Sequence, residues 1–486
     1  MRATDDVKGL CMGELRSATE DPAERAGGPL TADAATRAVG RVLGEVLDER
    51  MSEAYDLDAV FARDVAGRVS AFARRGGKRL RTAFAWCGWR AGGGTGDPGP
   101  LLRTGVALEL VQTCALVHDD VMDGSHLRRG APSMHVDLAR MHRAEGMTGG
   151  AESFGHSAAV LAGDLALAWA DDLMTEIALA TTDGPRLYRE WRAMREEMVA
   201  GQYRDLQAQA AGASGVDEAL TIATLKSALY TVERPLALGA SLAGADETVT
   251  AALRAAGRCA GLAFQLRDDL LGAFGDPALT GKPVGDDLRA RKLTYLLAVA
   301  LEMGRATGDE EAVALLSPAG PALPERAVEG VRAALERTGA RDMVEAKIAE
   351  LADTALRRFG ETDADAVVRR EFAALVARAS GIRVPQGREA GGGGRPPTAR
   401  TRGWRAARPG AGQGWRRACS AAWSAAPVSV VAPRVLSLPP LDSRWARTNH
   451  WNSSRPRSCS MSMSWVTGSA SSVSRIASRW SSMRFV

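Results

Sequence analysis

Carboxylates set inside apolar helical pattern constrain this chain more than any other feature. Asp119, Asp120 and Asp123 follow the largely apolar stretch from Leu110 to Val117, and Asp268 and Asp269 lie within Gln265-Leu266-Arg267-Asp268-Asp269-Leu270-Leu271-Gly272. A carboxylate is costly to bury unless a cation neutralises it, so two such clusters predict facing walls of one metal-filled pocket. On a helix, Asp119 and Asp123 share one face with about 6 Å of rise between them. Mg2+ suits that pair: it takes carboxylate oxygens, keeps several waters and completes its shell with substrate phosphates. Acid pairs at this spacing are more often solvated helix surface, but the apolar residues before Asp119 argue against that reading.

Basic residues accompany both clusters. Gly124-Ser125-His126-Leu127-Arg128-Arg129-Gly130 puts two guanidiniums just beyond the first acids, and guanidinium is shaped to grip phosphate oxygens in pairs. Upstream, Gly76-Gly77-Lys78-Arg79-Leu80-Arg81 reads alone as a surface turn, and beside the Asp-Arg block as a second anion site. After Asp269 come Thr280-Gly281-Lys282-Pro283, Gly285-Asp286-Asp287 and Arg291-Lys292. Between the clusters, Gly201-Gln202 with Asp205, and Lys226-Ser227-Ala228-Leu229-Tyr230-Thr231, add polar groups to core-like helices. To this point the pattern fits several kinds of metal-assisted phosphate chemistry, from a phosphatase to a cyclase.

Helical periodicity dominates residues 31–385, and few stretches alternate as strands do, which predicts an all-α domain. Thr31 is placed to cap its first helix, and residues 1–30 read as a flexible N-terminal segment. Residues 386–486 differ: they are rich in Gly, Pro, Arg and Ser and hold 7 of the 11 Trp and both Asn, Asn449 and Asn452. With no helical stripe or repeat, this tail reads as a disordered extension or as a reading-frame artefact, with a partner-binding arm as the third alternative.

The tail carries 16 Arg against Glu389 and Asp442, so the whole-chain charge of +4 averages a basic tail of +14 with an acidic −10 for residues 1–385. The basic balance therefore gives no reason to expect nucleic acid as a partner. The six cysteines form no CxxC pair and lack histidines at zinc spacing. The absence of a basic-then-apolar leader and of a long apolar run predicts a cytoplasmic protein with no integral membrane segment.

Taken together, Leu116-Val117-His118-Asp119-Asp120-Val121-Met122-Asp123-Gly124-Ser125 with Arg128-Arg129-Gly130, Gly77-Lys78-Arg79-Leu80-Arg81, and Phe264-Gln265-Leu266-Arg267-Asp268-Asp269 resemble the signature blocks of trans-isoprenyl diphosphate synthases, in the same order. The resemblance covers roughly residues 31–380. It implies a helical bundle of the isoprenoid-synthase type around a deep central cavity and a homodimer. It further implies three Mg2+ ions and head-to-tail condensation of isopentenyl diphosphate with an allylic diphosphate.

By the resemblance, Asp119 and Asp123 would bind metal directly with Asp120 in support, and Asp268 would bind it from the opposite wall with Asp269 nearby. Arg128, Lys226 and Lys282 would hold the allylic diphosphate, helped by Ser227, Gln265 and Lys292. Lys78, Arg81, Gln112 and Arg129 would hold isopentenyl diphosphate, and Asp205 would orient basic residues. Asp119, Asp123, Asp268, Lys226 and Lys282 form the catalytic set.

Two departures from the pattern stand out: Gly272 replaces a third aspartate, and Gln112 occupies a place where many bacterial relatives have histidine. A class I terpene cyclase would share the first acidic motif. Its second metal site generally uses an Asn/Asp-Ser/Thr-Glu pattern, however, and residues 1–385 contain no Asn. Intact acids in both motifs argue against a non-catalytic regulatory subunit. Cys114 and Ala115, one turn before Asp119, are small where short-chain relatives carry an aromatic floor. The expected product is therefore geranylgeranyl diphosphate, with farnesyl or longer products as alternatives.

Overall fold

The structure is a computed structural model describing residues 31–275, 285–318 and 322–381. The chain divides into two units, Met1–Glu389 and Ala390–Val486, and every described residue belongs to the first. The expectations for residues 1–30 and for the tail lie outside the described residues, as does Lys282.

The described residues are helical almost throughout, as the periodicity predicts. Helix α1 (Ala32–Leu57) starts where Thr31 accepts a hydrogen bond from the Ala34 N–H at 3.1 Å, satisfying one of the orphan donors of the first turn. A short turn and a π-helical segment lead into α2 (Gly67–Arg75), and α3 (Leu80–Ala91) and α4 (Gly99–Met122) follow. The sole sheet among the described residues is a two-stranded hairpin, Leu127–Arg128 with Ala131–Pro132. Its central residues Arg129 and Gly130 both have left-handed backbone, as a tight two-residue hairpin turn requires.

Helices α5 (Met134–Ala144), α6 (Ala151–Ala180), α7 (Gly184–Ala211) and α8 (Val216–Ala223) come next, then a π-helical segment, Thr224–Glu233, that continues into α9 (Arg234–Leu242). Helix α10 (Glu247–Phe274) is capped by Asp246, whose carboxylate accepts from the Val249 N–H. The short α11 (Asp286–Arg289) and helices α12 (Tyr295–Thr307), α13 (Glu310–Leu316), α14 (Val328–Arg337), α15 (Ala340–Gly360) and α16 (Ala366–Ser380) complete the described chain.

Two hydrophobic cores organise these helices. The larger gathers Leu43, Phe84, Trp86, Leu108, Leu110, Leu173, Trp191 and Phe372 around α4. The smaller packs Leu296, Leu301, Val331, Leu335, Val344 and Ile348 from α12, α14 and α15. Helix α10 belongs to both: Leu253, Ala256 and Ala260 enter the first core, and Ala263, Leu266, Leu270 and Ala273 the second.

By length and composition α4 could cross a membrane, which the sequence reading did not anticipate. Its apolar stretch is 67% buried by neighbouring helices, as befits the central helix of a core. One face of α4 stays partly exposed at Gln112, Ala115, Leu116 and Asp119.

Glycines bring the π segment close to its neighbours. A Cβ at Gly201 would sit 2.3 Å from the Lys226 nitrogen, and one at Gly261 would sit 2.4 Å from the Ala228 carbonyl oxygen. The segment is thus held between α7 and α10 at distances that any side chain would forbid.

Candidate active site

The first acidic motif occupies the end of α4, with Asp119 in the last turn and Asp123 as its C-cap. Three side chains from three other stretches of chain close on it. Lys226 Nζ donates to Asp119 at 3.1 Å and to Asp205 at 2.8 Å. Lys292 Nζ donates to Asp123 at 3.0 Å and lies 3.2 Å from the same oxygen of Asp205. The result is an alternating chain of charges, Asp119–Lys226–Asp205–Lys292–Asp123, drawn from α4, the π segment, α7 and the stretch after α11.

Asp205 is only 2% exposed, so its two lysine partners are what make its burial tolerable. Burial works against the charge on Asp119 and on Asp205. The lysines outweigh it at both, aided by Arg128 at Asp119, and hold both carboxyls below the usual range. Burial likewise opposes the charge on Lys292, but Asp205, Asp123, Asp287 and Asp119 together push its ammonium up.

Asp120 faces elsewhere. Its side chain is fully buried, and Arg128 Nε donates to it at 2.8 Å with a second, shorter contact from the same guanidinium. Arg128 also reaches Asp119 at 3.4 Å. Asp120 thus clamps an arginine, while Asp119 and Asp123 keep partly exposed oxygens.

The second motif sits on the last two turns of α10. Asp268 is exposed, and no cation among the described residues pairs with it. Asp269 accepts from Gln265 Nε2 at 2.8 Å. Burial, with Asp268 and Asp287 nearby, pushes its carboxyl up to about 7 against the Gln265 hydrogen bond. Lys292 connects the two motifs, since it feels Asp123 and Asp205 on one side and Asp287 on the other.

A separate basic group lies between α2 and α4. Lys78 and Arg129 are exposed, and Arg81 is half-buried with its guanidinium 4.0 Å from the centre of the Tyr230 ring. Arg81 donates to Thr231 Oγ1 at 3.1 Å, and the Tyr230 hydroxyl donates to Gln112 Oε1 at 2.8 Å. Tyr230 therefore ties Arg81 to Gln112. It stands one turn beyond Lys226 on the π segment, where Ser227 is also partly exposed.

Beneath this group is Glu109, only 8% exposed, with Arg79 Nε at 3.9 Å. Burial pushes the Glu109 carboxyl up, and Arg79, Arg81 and Arg129 pull it back. Sequence reasoning passed over Glu109, although an acid inside Leu108-Glu109-Leu110-Val111 was a visible sign of a buried charge needing cations. Among the described residues, the three non-glycine residues with left-handed backbone are all arginines, Arg79, Arg129 and Arg291; Arg129 belongs to this group and Arg79 adjoins it. Such backbone is costly for a side-chain-bearing residue and gathers where loops hold ligands.

Among the described residues no three metal-ligating side chains converge into a closed cage. Magnesium binds through one or two carboxylates and leaves the rest of its shell to water and phosphate. The partly exposed oxygens of Asp119 and Asp123, and the exposed Asp268, are of the right kind. The sequence-predicted residues thus fall into three groups: Asp119, Asp123, Arg128, Lys226 and Lys292 around Asp205; Asp268, Asp269 and Gln265 on α10; Lys78, Arg81, Gln112 and Arg129 near Glu109.

Residues 65–326 match the family model described as polyprenyl synthetase. A (2E,6E)-farnesyl diphosphate synthase of Mycobacterium bovis is 35% identical over 247 residues, 50% of this chain and 62% of that protein, so the chain spans less than two thirds of that relative's length. A geranylfarnesyl diphosphate synthase of Aeropyrum pernix is 32% identical over 248 residues, 50% of this chain and 72% of its own length. Among solved structures, the geranylgeranyl pyrophosphate synthase of Corynebacterium glutamicum, complexed with isoprenyl diphosphate and magnesium, is 36% identical. It superposes with a TM-score of 0.69 over 73% of this chain and 100% of that one. With the family match running from the π segment before α2 through both acidic motifs to the turn before α14, over more than half of the sequence, the chain belongs to the polyprenyl synthetase family.

Proposed function

We propose that the protein condenses isopentenyl diphosphate head-to-tail with an allylic diphosphate. The observation that carries this reading is the presence of two separate cation groups, Lys226 with Lys292 and Arg128 at the first motif, and Lys78 with Arg81 and Arg129 near Glu109. A one-substrate enzyme needs one diphosphate site, whereas a condensing enzyme needs two.

Magnesium held by Asp119 and Asp123 on one side and Asp268 on the other would neutralise the allylic diphosphate and ease its departure. Arg128, Lys226 and Lys292, with Lys282, Ser227 and Gln265, bind its oxygens; their fixed charges favour the state in which the C–O bond has broken. Asp205 keeps Lys226 and Lys292 aimed, and Asp120 does the same for Arg128. Lys78, Arg81, Gln112 and Arg129 place the double bond of isopentenyl diphosphate against the allylic cation. A C–C bond forms, one proton leaves, and the departing diphosphate is the base that takes it. Apolar walls keep water from the cation.

The product assigned is geranylgeranyl diphosphate. Ala115 and Cys114 lie about 6–7.5 Å below Asp119 by helix rise, and neither blocks a growing chain. The relatives named above are a farnesyl and a geranylfarnesyl diphosphate synthase, on both sides of that length, so this reading is supported by the small side chains alone. Two copies would pair through α6, which leaves Leu161 and Leu179 61% and 85% exposed.

Purified protein incubated with isopentenyl diphosphate, an allylic primer and magnesium tests the reading, with mass analysis of the hydrolysed product. No magnesium-dependent consumption would overturn it. Ala115→Phe should shorten the product, and an unchanged product would end the length argument.

A further inference from the structure

The π register of Thr224–Glu233 runs for 10 residues, longer than the single turn in which π geometry is usually found. It changes which side chains share a face. In an α-helix Thr231 would point about 140° away from Lys226. A π turn closes its hydrogen bonds from i to i+5, so it brings Thr231 back over Lys226 beside Tyr230.

Both of these neighbours meet Arg81. Thr231, only 2% exposed, accepts from Arg81 Nη2 at 3.1 Å, and the Tyr230 ring lies against the same guanidinium at 4.0 Å. Arg81 Nε is buried with no hydrogen-bond partner among the described residues, which leaves Thr231 and Tyr230 to set the plane of the guanidinium.

The far end of the segment is pinned from two sides. Arg258 on α10 donates to the Glu233 carboxylate from Nε at 2.8 Å and from Nη2 at 3.0 Å, and a Cβ on Gly257 would stand 2.6 Å from the Glu233 Cα. From the next residue, Arg234 donates to Glu197 at 2.8 Å and to Glu190 at 2.7 Å, both on α7. Glu233 is buried, so freeing it from Arg258 would strand its charge. A slip of the segment toward α register would break these contacts.

We propose that Thr231 is a positioning residue of the reaction, acting through Arg81 on the diphosphate of isopentenyl diphosphate, and that the Glu233–Arg258 pair serves it by keeping the segment in π register. This rests on the condensation reading above.

The test is steady-state kinetics of the full chain with magnesium, a saturating allylic primer and varied isopentenyl diphosphate. Thr231→Val keeps the shape and removes the acceptor, so KM for isopentenyl diphosphate should rise about tenfold while kcat and KM for the primer stay within about twofold. Thr231→Ser keeps the hydroxyl and should hold KM within about threefold of the parent. In an Arg81→Met background, Thr231→Val should add nothing, because the group it aims is gone. Glu233→Gln, which loosens the pin, should raise the same KM about threefold. Thermal melts of all variants separate lost aim from lost folding. A Thr231→Val variant that loses kcat and thermal stability but keeps its KM, or whose effect persists in the Arg81→Met background, overturns the proposal while leaving the condensation reading intact. A parent chain without magnesium-dependent turnover overturns both.

Discussion

The two acidic motifs solve the same electrostatic problem in opposite ways. At the end of α4, the protein supplies its own cations: Lys226, Lys292 and Arg128 contact Asp119 or Asp123, and Asp205 binds the lysines together. At the end of α10, Asp268 points outward without a described cation and Asp269 relies on an amide. The first wall is preset before any ligand arrives. The second carries charge that a ligand must answer, and it follows that removing an acid should cost structure on the first wall and ligand binding on the second.

Asp119→Ala offers the sharpest break. It takes one of two carboxylates from Lys226, leaving Asp205, and the longer of the Arg128 contacts, so turnover should fall about 10³-fold or more and the melting temperature should drop as well. Asp268→Ala should lower turnover about 10²- to 10³-fold with the melting temperature unmoved; equal melting losses in the two variants would erase the contrast. Asp205→Asn weakens the shared anchor of both lysines. We expect a fall of about 10- to 100-fold in kcat, partial loss of thermal stability, and little change in KM for isopentenyl diphosphate, read from steady-state kinetics. The smallest effect belongs to Tyr230→Phe, which keeps the ring under Arg81 but removes the hydrogen bond to Gln112. KM for isopentenyl diphosphate should rise roughly five- to tenfold, matching about 1 kcal/mol, with kcat nearly constant.

Much of this was legible in order along the chain, because acid spacing on a helix and arginines in a glycine-rich turn are local patterns. Thr31 as a cap and the helical character of the described residues followed from periodicity and end signals. What local pattern could not supply was partnership at long range. Asp205 and Lys292 lie 87 residues apart, yet share one ion pair. Nor could it tell that Asp120, identical in type to its neighbours, turns into the protein to hold Arg128. Glu109 escaped notice because a single acid in an apolar run reads as an interruption until three arginines are seen around it. The π register of Thr224–Glu233 has no clear sequence mark except the glycines at 201 and 261, which belong to other helices.

Helix α10 threads both cores, and this has a consequence for motion. Amides in its first half should exchange with solvent hydrogen only when the larger core opens, and those in its second half whenever the smaller core loosens. A transient opening of α12, α14 and α15 would then let Asp268 swing while Asp119 and its lysines stayed in place, giving the pocket one fixed jaw and one that breathes.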